Sequence, residues 1–216
     1  MRRELVDAAR DYRYLLDRGY PHKLALDTIS TRYLLSRRER LLLYRCVHTT
    51  RYVRSIRSKT SYPPNGSSIV IDGYNVFSTI YSILSGEELY LCDDGFIRDL
   101  LGIRTRVALA VNIETINRII SLIKWFIDGH ETYIVLDANV SRSGELASRL
   151  RELLPNANIV VARKADIKVL KLSRDRWVIS SDAVILEKAH KVYDLAGYIA
   201  RRYSPRRIIV LPIPLP

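Results

Sequence analysis

The stretch "SIVIDGYNVFST", Ser68 to Thr79, decides how the rest of the chain is read. Ser68 to Ile71 reads as a buried strand, and Asp72 stands at its end, followed by Gly73, Tyr74 and Asn75. An acid in that place either opens a turn, as Asp-Gly pairs do, or carries chemistry. Open parallel sheets form their sites outside the carboxyl ends of the strands.

Downstream, "TYIVLDA" (132–138), "ANIVVAR" (157–163), "RWVISSD" (176–182) and "RRIIVLPI" (206–213) read as further strands, with a short one at "KVYD" (191–194). Most are unbroken apolar runs, as expected of strands covered on both faces. Helical stretches fill the gaps, at about 110–127, 144–154, 182–190 and 195–203. This alternation predicts an α/β fold with a parallel, doubly wound sheet over residues 68–216.

Upstream the pattern is different. Leu5, Ala9, Tyr12 and Leu16 recur at helical spacing, and Gly19 is placed to end that helix. "SRRE", Ser36 to Glu39, fits a capping box that opens a third helix through "RLLLYRCVHTTRYVRSIR". Within one such helix Arg37, Arg40 and Arg51 share a narrow stripe opposite Leu42, Cys46 and Val53. Residues 1–58 are thus expected to be a basic helical region. The Pro-Pro and Asn-Gly pairs of "SKTSYPPNGSS" mark a linker at 59–67.

Of the 216 residues 48% are hydrophobic, enough for a packed core, and the formal charge is +12. The 35 basic residues are 27 Arg and 8 Lys, counted along the chain. Residues 1–60 hold 15 basic and 6 acidic residues, a net of +9 (15 − 6). Arginine forks onto phosphate and stacks on bases, so this balance suits RNA or DNA. Arg37, Arg38, Arg40, Arg45, Arg51, Arg54 and Arg57 are the candidate nucleic-acid contacts; the plainer alternative is a solvated face.

No run approaches the ~18 apolar residues of a membrane span, and "MRRELVDAARDYRY" has no signal-peptide core. The expectation is a cytoplasmic protein with no membrane partner. Cys46 and Cys92 have no metal-ligand spacing and suggest no disulfide framework. The four His (22, 48, 130 and 190) are scattered and read as surface or helix residues.

The acids fall with some regularity. Asp72 closes the first strand, Asp137 nearly closes the second, Asp166 follows the third and Asp182 closes the fourth. Crowded carboxylates repel one another unless a cation intervenes, and Mg2+ or Mn2+ prefers such oxygen donors. Each acid also has a structural reading: Asp137 as a strand end, Asp166 as a solvated helix residue, Asp182 as a helix cap. "CDDGFIRDL", 92–100, is either a hairpin built on Asp94-Gly95 or an acidic loop folded over the crevice. Glu114 offers an acid on the first crossover helix.

"VIDGYNV", "KADIKVL" and "VISSD" resemble, in this order, motifs of PIN-like nucleases, particularly the NYN subgroup. The resemblance implies that Asp72, Asp166 and Asp182 hold Mg2+ or Mn2+ and that Asn75 helps to hold substrate or a metal-bound water. A further acid, Asp94, Asp99 or Glu114, would complete the shell, and Asp137 has no firm counterpart. The whole chain, through "ARDYRYLLDRGYPHKLAL" and "CDDGFIRDL", also resembles archaeal domain-of-unknown-function proteins that join a basic helical region to a PIN-like domain.

The reading that follows is a divalent-metal-dependent endoribonuclease whose Arg-rich helices grip single-stranded or structured RNA. Its catalytic candidates are Asp72, Asn75, Asp94, Asp166 and Asp182; its metal candidates are Asp72, Asp166, Asp182, Asp137 and Glu114. The alternatives are a non-catalytic RNA- or ribosome-binding protein on the same fold and a protein-interaction module.

Overall fold

The structure, a computed structural model, describes residues 2–101 and 112–211. Four helices come first: α1 (Arg3–Asp17), α2 (His22–Arg32), α3 (Arg37–Cys46) and α4 (Thr50–Lys59). Gly19, at φ +83°, turns the chain out of α1. Ser36 and Glu39 form the reciprocal capping box of α3.

The long third helix expected from the sequence is two helices. α3 stops at Cys46, and the Thr49 side chain accepts from Tyr52 N at 3.1 Å to start α4. The stripe of Arg37, Arg40 and Arg51 is therefore split between two helices.

Five strands then build a parallel sheet: β1 (Ser68–Asp72), β4 (Glu131–Asp137), β5 (Asn158–Ala162), β6 (Trp177–Ile179) and β7 (Val192–Tyr193), in the order β5-β4-β1-β6-β7. β2 (Leu89–Leu91), β3 (Ile97–Arg98) and β8 (Ile208–Val210) form a second sheet, in the order β3-β2-β8. The "RRIIVLPI" strand thus pairs with β2, parallel, and not with the main sheet; residues 212 and 213 lie outside the described residues.

The chain lays down β1, β4 and β5 outward in one direction. It then crosses back to β6 on the other side of β1. The order reverses between β1 and β6, and that reversal is the topological switch point of a doubly wound sheet.

Helices cover both faces. On one, α5 (Gly73–Ser85) and the helices Ile113–Asp128, Ser143–Leu153 and Leu195–Tyr203 pack on Ile69, Ile71, Ile134, Leu136 and Ile179. The helix expected from about residue 110 begins at Ile113; 110 and 111 lie outside the described residues. On the other face, α4 and the helices Ala165–Leu172 and Ala183–Lys188 pack on Val70, Val135 and Val178.

α1 to α3 enclose a core of their own that also takes in Tyr90 of β2 and Cys92 and Leu211, just beyond the ends of β2 and β8. The segment after α4 is docked rather than free. Thr60 bridges Val192, and Ser61 N donates to Val192 O at 3.2 Å, beside the β7 edge. Cys46 and Cys92 are disulfide-bonded, which corrects the sequence expectation. Their separation of 46 residues hides a pairing that the packing of α3 against β2 creates.

Candidate functional site at the switch point

Successive strand residues face opposite sides of a sheet, and parallel partners in register face the same side. Asp72 pairs with Val135, and Val70 with Val178. Asp72, Asp137 and Ser180 therefore belong to the same face, the one covered by α4 and the helices Ala165–Leu172 and Ala183–Lys188. β1 has no room to continue. α5 starts at Gly73, where a Cβ would lie 2.7 Å from Leu136 Cδ2 and 3.0 Å from Val135 O.

That tight start brings Asn75 to the mouth of the switch point. Ser180 Oγ donates to Asp72 Oδ2 at 3.0 Å and lies 3.3 Å from Asn75 Oδ1. Asn75 Oδ1 accepts from Ser181 N at 2.7 Å and from Ser181 Oγ at 3.0 Å. Its oxygen is thus engaged, and Nδ2 is the group that it can offer to a ligand. Asp182 N donates to Ser180 Oγ at 3.1 Å, so one serine ties Asp72 to Asp182. Asp182 Oδ1 accepts from Val184 N and Ile185 N, each at 3.0 Å, and caps its own helix.

The other acids are spread out. Asp137 ends β4 and accepts from Asn139 N and Nδ2, both at 2.9 Å. Asp166 is exposed in the first turn of the helix Ala165–Leu172. Glu114 is exposed in the first turn of the helix Ile113–Asp128. Asp94 is buried and forked by Arg98 at 2.9 and 2.6 Å. Burial works against its ionisation, but the Arg98 guanidinium outweighs burial and holds the carboxyl below its ordinary range. Asp99 accepts from Thr79 Oγ1 at 3.0 Å and faces Arg45 at 3.6 Å. "CDDGFIRDL" is accordingly a hairpin turn whose acids carry buried ion pairs.

Among the described residues, one set of three ligand-type residues has ligand atoms all within 4.8 Å of one another: His48, Asp93 and Asp94. Asp72, Asp166 and Asp182 do not form such a set. A cation still has a fitting donor set at the switch point. Mg2+ keeps most of its waters and needs only one or two carboxylates besides a substrate phosphate. Asp72 and the second oxygen of Asp182 are hard oxygen donors of that kind.

In front of this constellation lies a cleft of about 610 Å3. Its sheet side is lined by Tyr74, Asn75, Ser181 and Asp182, and its helical side by Arg45, His48 and Tyr52. Burial is the first cause that raises the Tyr52 phenol far above its ordinary value, so the hydroxyl stays protonated.

Of the candidate arginines, Arg45 reaches the cleft, Arg38 pairs with Glu88 and Arg40 with Asp27. Arg37, Arg51, Arg54 and Arg57 are exposed, the last three along α4. His48 was expected at the surface or on a helix. It is buried between α3 and α4, where its ring meets Asp93. No local spacing foretells that pair, because the partners are 45 residues apart.

The family described as Domain of unknown function (DUF5616) matches residues 64–198, and the family described as Protein of unknown function (DUF434) matches residues 4–59. A protein of Methanocaldococcus jannaschii, described as uncharacterized, is 28% identical over 193 residues, covering 86% of this chain and 90% of that protein. No solved structure matches.

Proposed function

We propose that this chain, which belongs to the DUF5616 family, is a divalent-cation-dependent endoribonuclease on a PIN-like α/β fold. One observation carries the reading: Asp72, Asn75 and the backbone of Asp182 are joined through Ser180 and Ser181 at the switch point of the sheet, and Asn75, Ser181 and Asp182 line the cleft. Asp72 and Asp182 would hold Mg2+ or Mn2+. When bound, such a cation neutralises charge on a phosphodiester and acidifies a water. Asn75 Nδ2 and Arg45 orient the substrate phosphate within the cleft. Arg51, Arg54 and Arg57 on α4 hold the RNA backbone outside it. Asp137 and Asp166 stand further along the same edge of the sheet, where they add negative potential that draws cations.

The test is cleavage of mixed single-stranded RNA with Mn2+ by the wild type and by Asp72→Asn combined with Asp182→Asn. The wild type is expected to cleave, and the double variant to lose at least ~100-fold, since removal of metal-held charge costs several kcal/mol. Equal activity in both, or none in either, counts against the enzyme.

A second reading, a non-catalytic RNA-binding protein, draws on the cap bonds of Asp182 and the exposure of Asp166. It predicts no cleavage, together with RNA binding that survives EDTA and weakens with salt. The logarithmic salt slope would be about −0.7 per phosphate neutralised.

A further inference from the structure

The helical wall of the cleft holds a side-chain pair that cation-assisted hydrolysis leaves unused. His48 Nδ1 lies 2.7 Å from Asp93 Oδ1, and His48 N donates to Asp93 Oδ2 at 2.7 Å. Arg13 Nη2 donates to the same Oδ2 at 3.0 Å. A carboxylate accepts only, so Nδ1 carries a proton and the ring is fixed in orientation. Nε2 is then the working atom. Among the described residues nothing bonds to it, and His48 lines the cleft.

The imidazole is placed close to the switch point. Its ring stacks on Tyr52 at 4.5 Å, and Tyr52 Oη donates to the carbonyl of Ala183, next to Asp182, at 3.3 Å. The cluster of His48, Asp93 and Asp94 is not a cation site. Asp93 is already engaged by Arg13 and His48 and Asp94 by Arg98, so neither carboxylate is left for a cation. What remains is an imidazole oriented by a buried aspartate, with its far nitrogen open to a substrate-sized space. That arrangement belongs to general acid–base catalysis.

We infer that His48 is the general acid that protonates the leaving oxygen, with Asp93 as its positioning residue; the inference rests on the ribonuclease reading above. In the step, a water oxygen bonds to phosphorus while the bond from phosphorus to the leaving ribose oxygen breaks. The leaving oxygen takes the Nε2 proton of the imidazolium, and the proton that the water sheds goes to bulk solvent. Proton uptake from solvent restores the imidazolium.

The experiment compares the wild type and His48→Gln, with Mn2+, on a single-stranded RNA oligonucleotide and on versions in which sulfur replaces the 3′ or the 5′ bridging oxygen. A thiolate leaves without a proton. His48→Gln should cleave the ordinary RNA ~100-fold or more slowly. On the version with sulfur at the leaving position it should come within about tenfold of the wild type, because the step lost is worth that ~100-fold only with oxygen leaving. Thermal melting checks the fold. Should His48→Gln not fold, His48→Ala with added imidazole replaces it, and recovery with imidazole on the ordinary RNA is the expected result. Equal loss on both substrates would make His48 structural and overturn the inference. Undiminished cleavage of ordinary RNA by His48→Gln would overturn it too. A wild type that cleaves none of the substrates removes the ribonuclease reading itself, a result distinct from both.

Discussion

At the scale of single residues, the acids of this chain divide by what surrounds them. Asp194 is buried, and its carboxylate accepts from Ile97 N at 2.9 Å and Gly197 N at 2.8 Å. Burial nevertheless pushes its carboxyl up to about 6. The folded state then binds a proton that the unfolded chain, at about 3.9, releases earlier. Its contribution to stability is full below pH ~4 and is lost as pH rises through ~6. Relative to Asp194→Asn, the wild type should lose up to about 3 kcal/mol of unfolding free energy between pH 4 and 7. Urea denaturation of both proteins at four pH values checks this; a constant difference would contradict it. Asp72 was legible as a strand-end acid; Asp182, read either as closing the fourth strand or as a helix cap, is the cap, because that strand ends at Ile179. Asp194 and His48 were not legible, because their roles depend on partners distant in sequence.

At the scale of elements, the apolar runs of β1, β4, β5 and β6 revealed the parallel sheet. α5 went unread because Val76, Phe77, Thr79, Ile80, Tyr81 and Ile83 are types that favour strands. Tertiary burial overrides that preference: Val76, Phe77, Ile80 and Ile83 all enter the core on one helical face. The position of α5 depends on Gly73, the point where its backbone touches β4. Gly73→Ala should destabilise the protein by about 1–3 kcal/mol through overpacking, measured by denaturant unfolding. Unchanged stability would mean that β4 gives way easily. The break between α3 and α4 was likewise hidden, since His48-Thr49-Thr50 carries no proline or glycine.

At the scale of the molecule, the helical region and the α/β unit are joined by more than a linker. Tyr90, Cys92 and Leu211 enter the core of α1 to α3, and the disulfide crosses the same junction. Closing a loop of this length stabilises a fold by typically ~2–4 kcal/mol. Reduction, or Cys92→Ser, should lower the melting temperature by several degrees, about 2–4 °C per kcal/mol at this size. Alkylation of the unfolded, unreduced protein checks the bond directly; two reactive thiols would refute it. The sequence boundary at 59–67 fell where composition changes, yet composition says nothing of packing across it.

The cleft has one wall from each half, and so does the ion-paired cluster behind it: Arg13 and His48 come from the first, Asp93, Asp94 and Arg98 from the second. The two family matches divide the chain between residues 59 and 64 and separate those partners. Asp72, Asn75 and Asp182 all lie in the second segment, but neither segment carries both walls of the cleft, so a lineage that lost or exchanged one would keep only half a cleft and an uncompensated charge. The two segments are therefore expected to be inherited together.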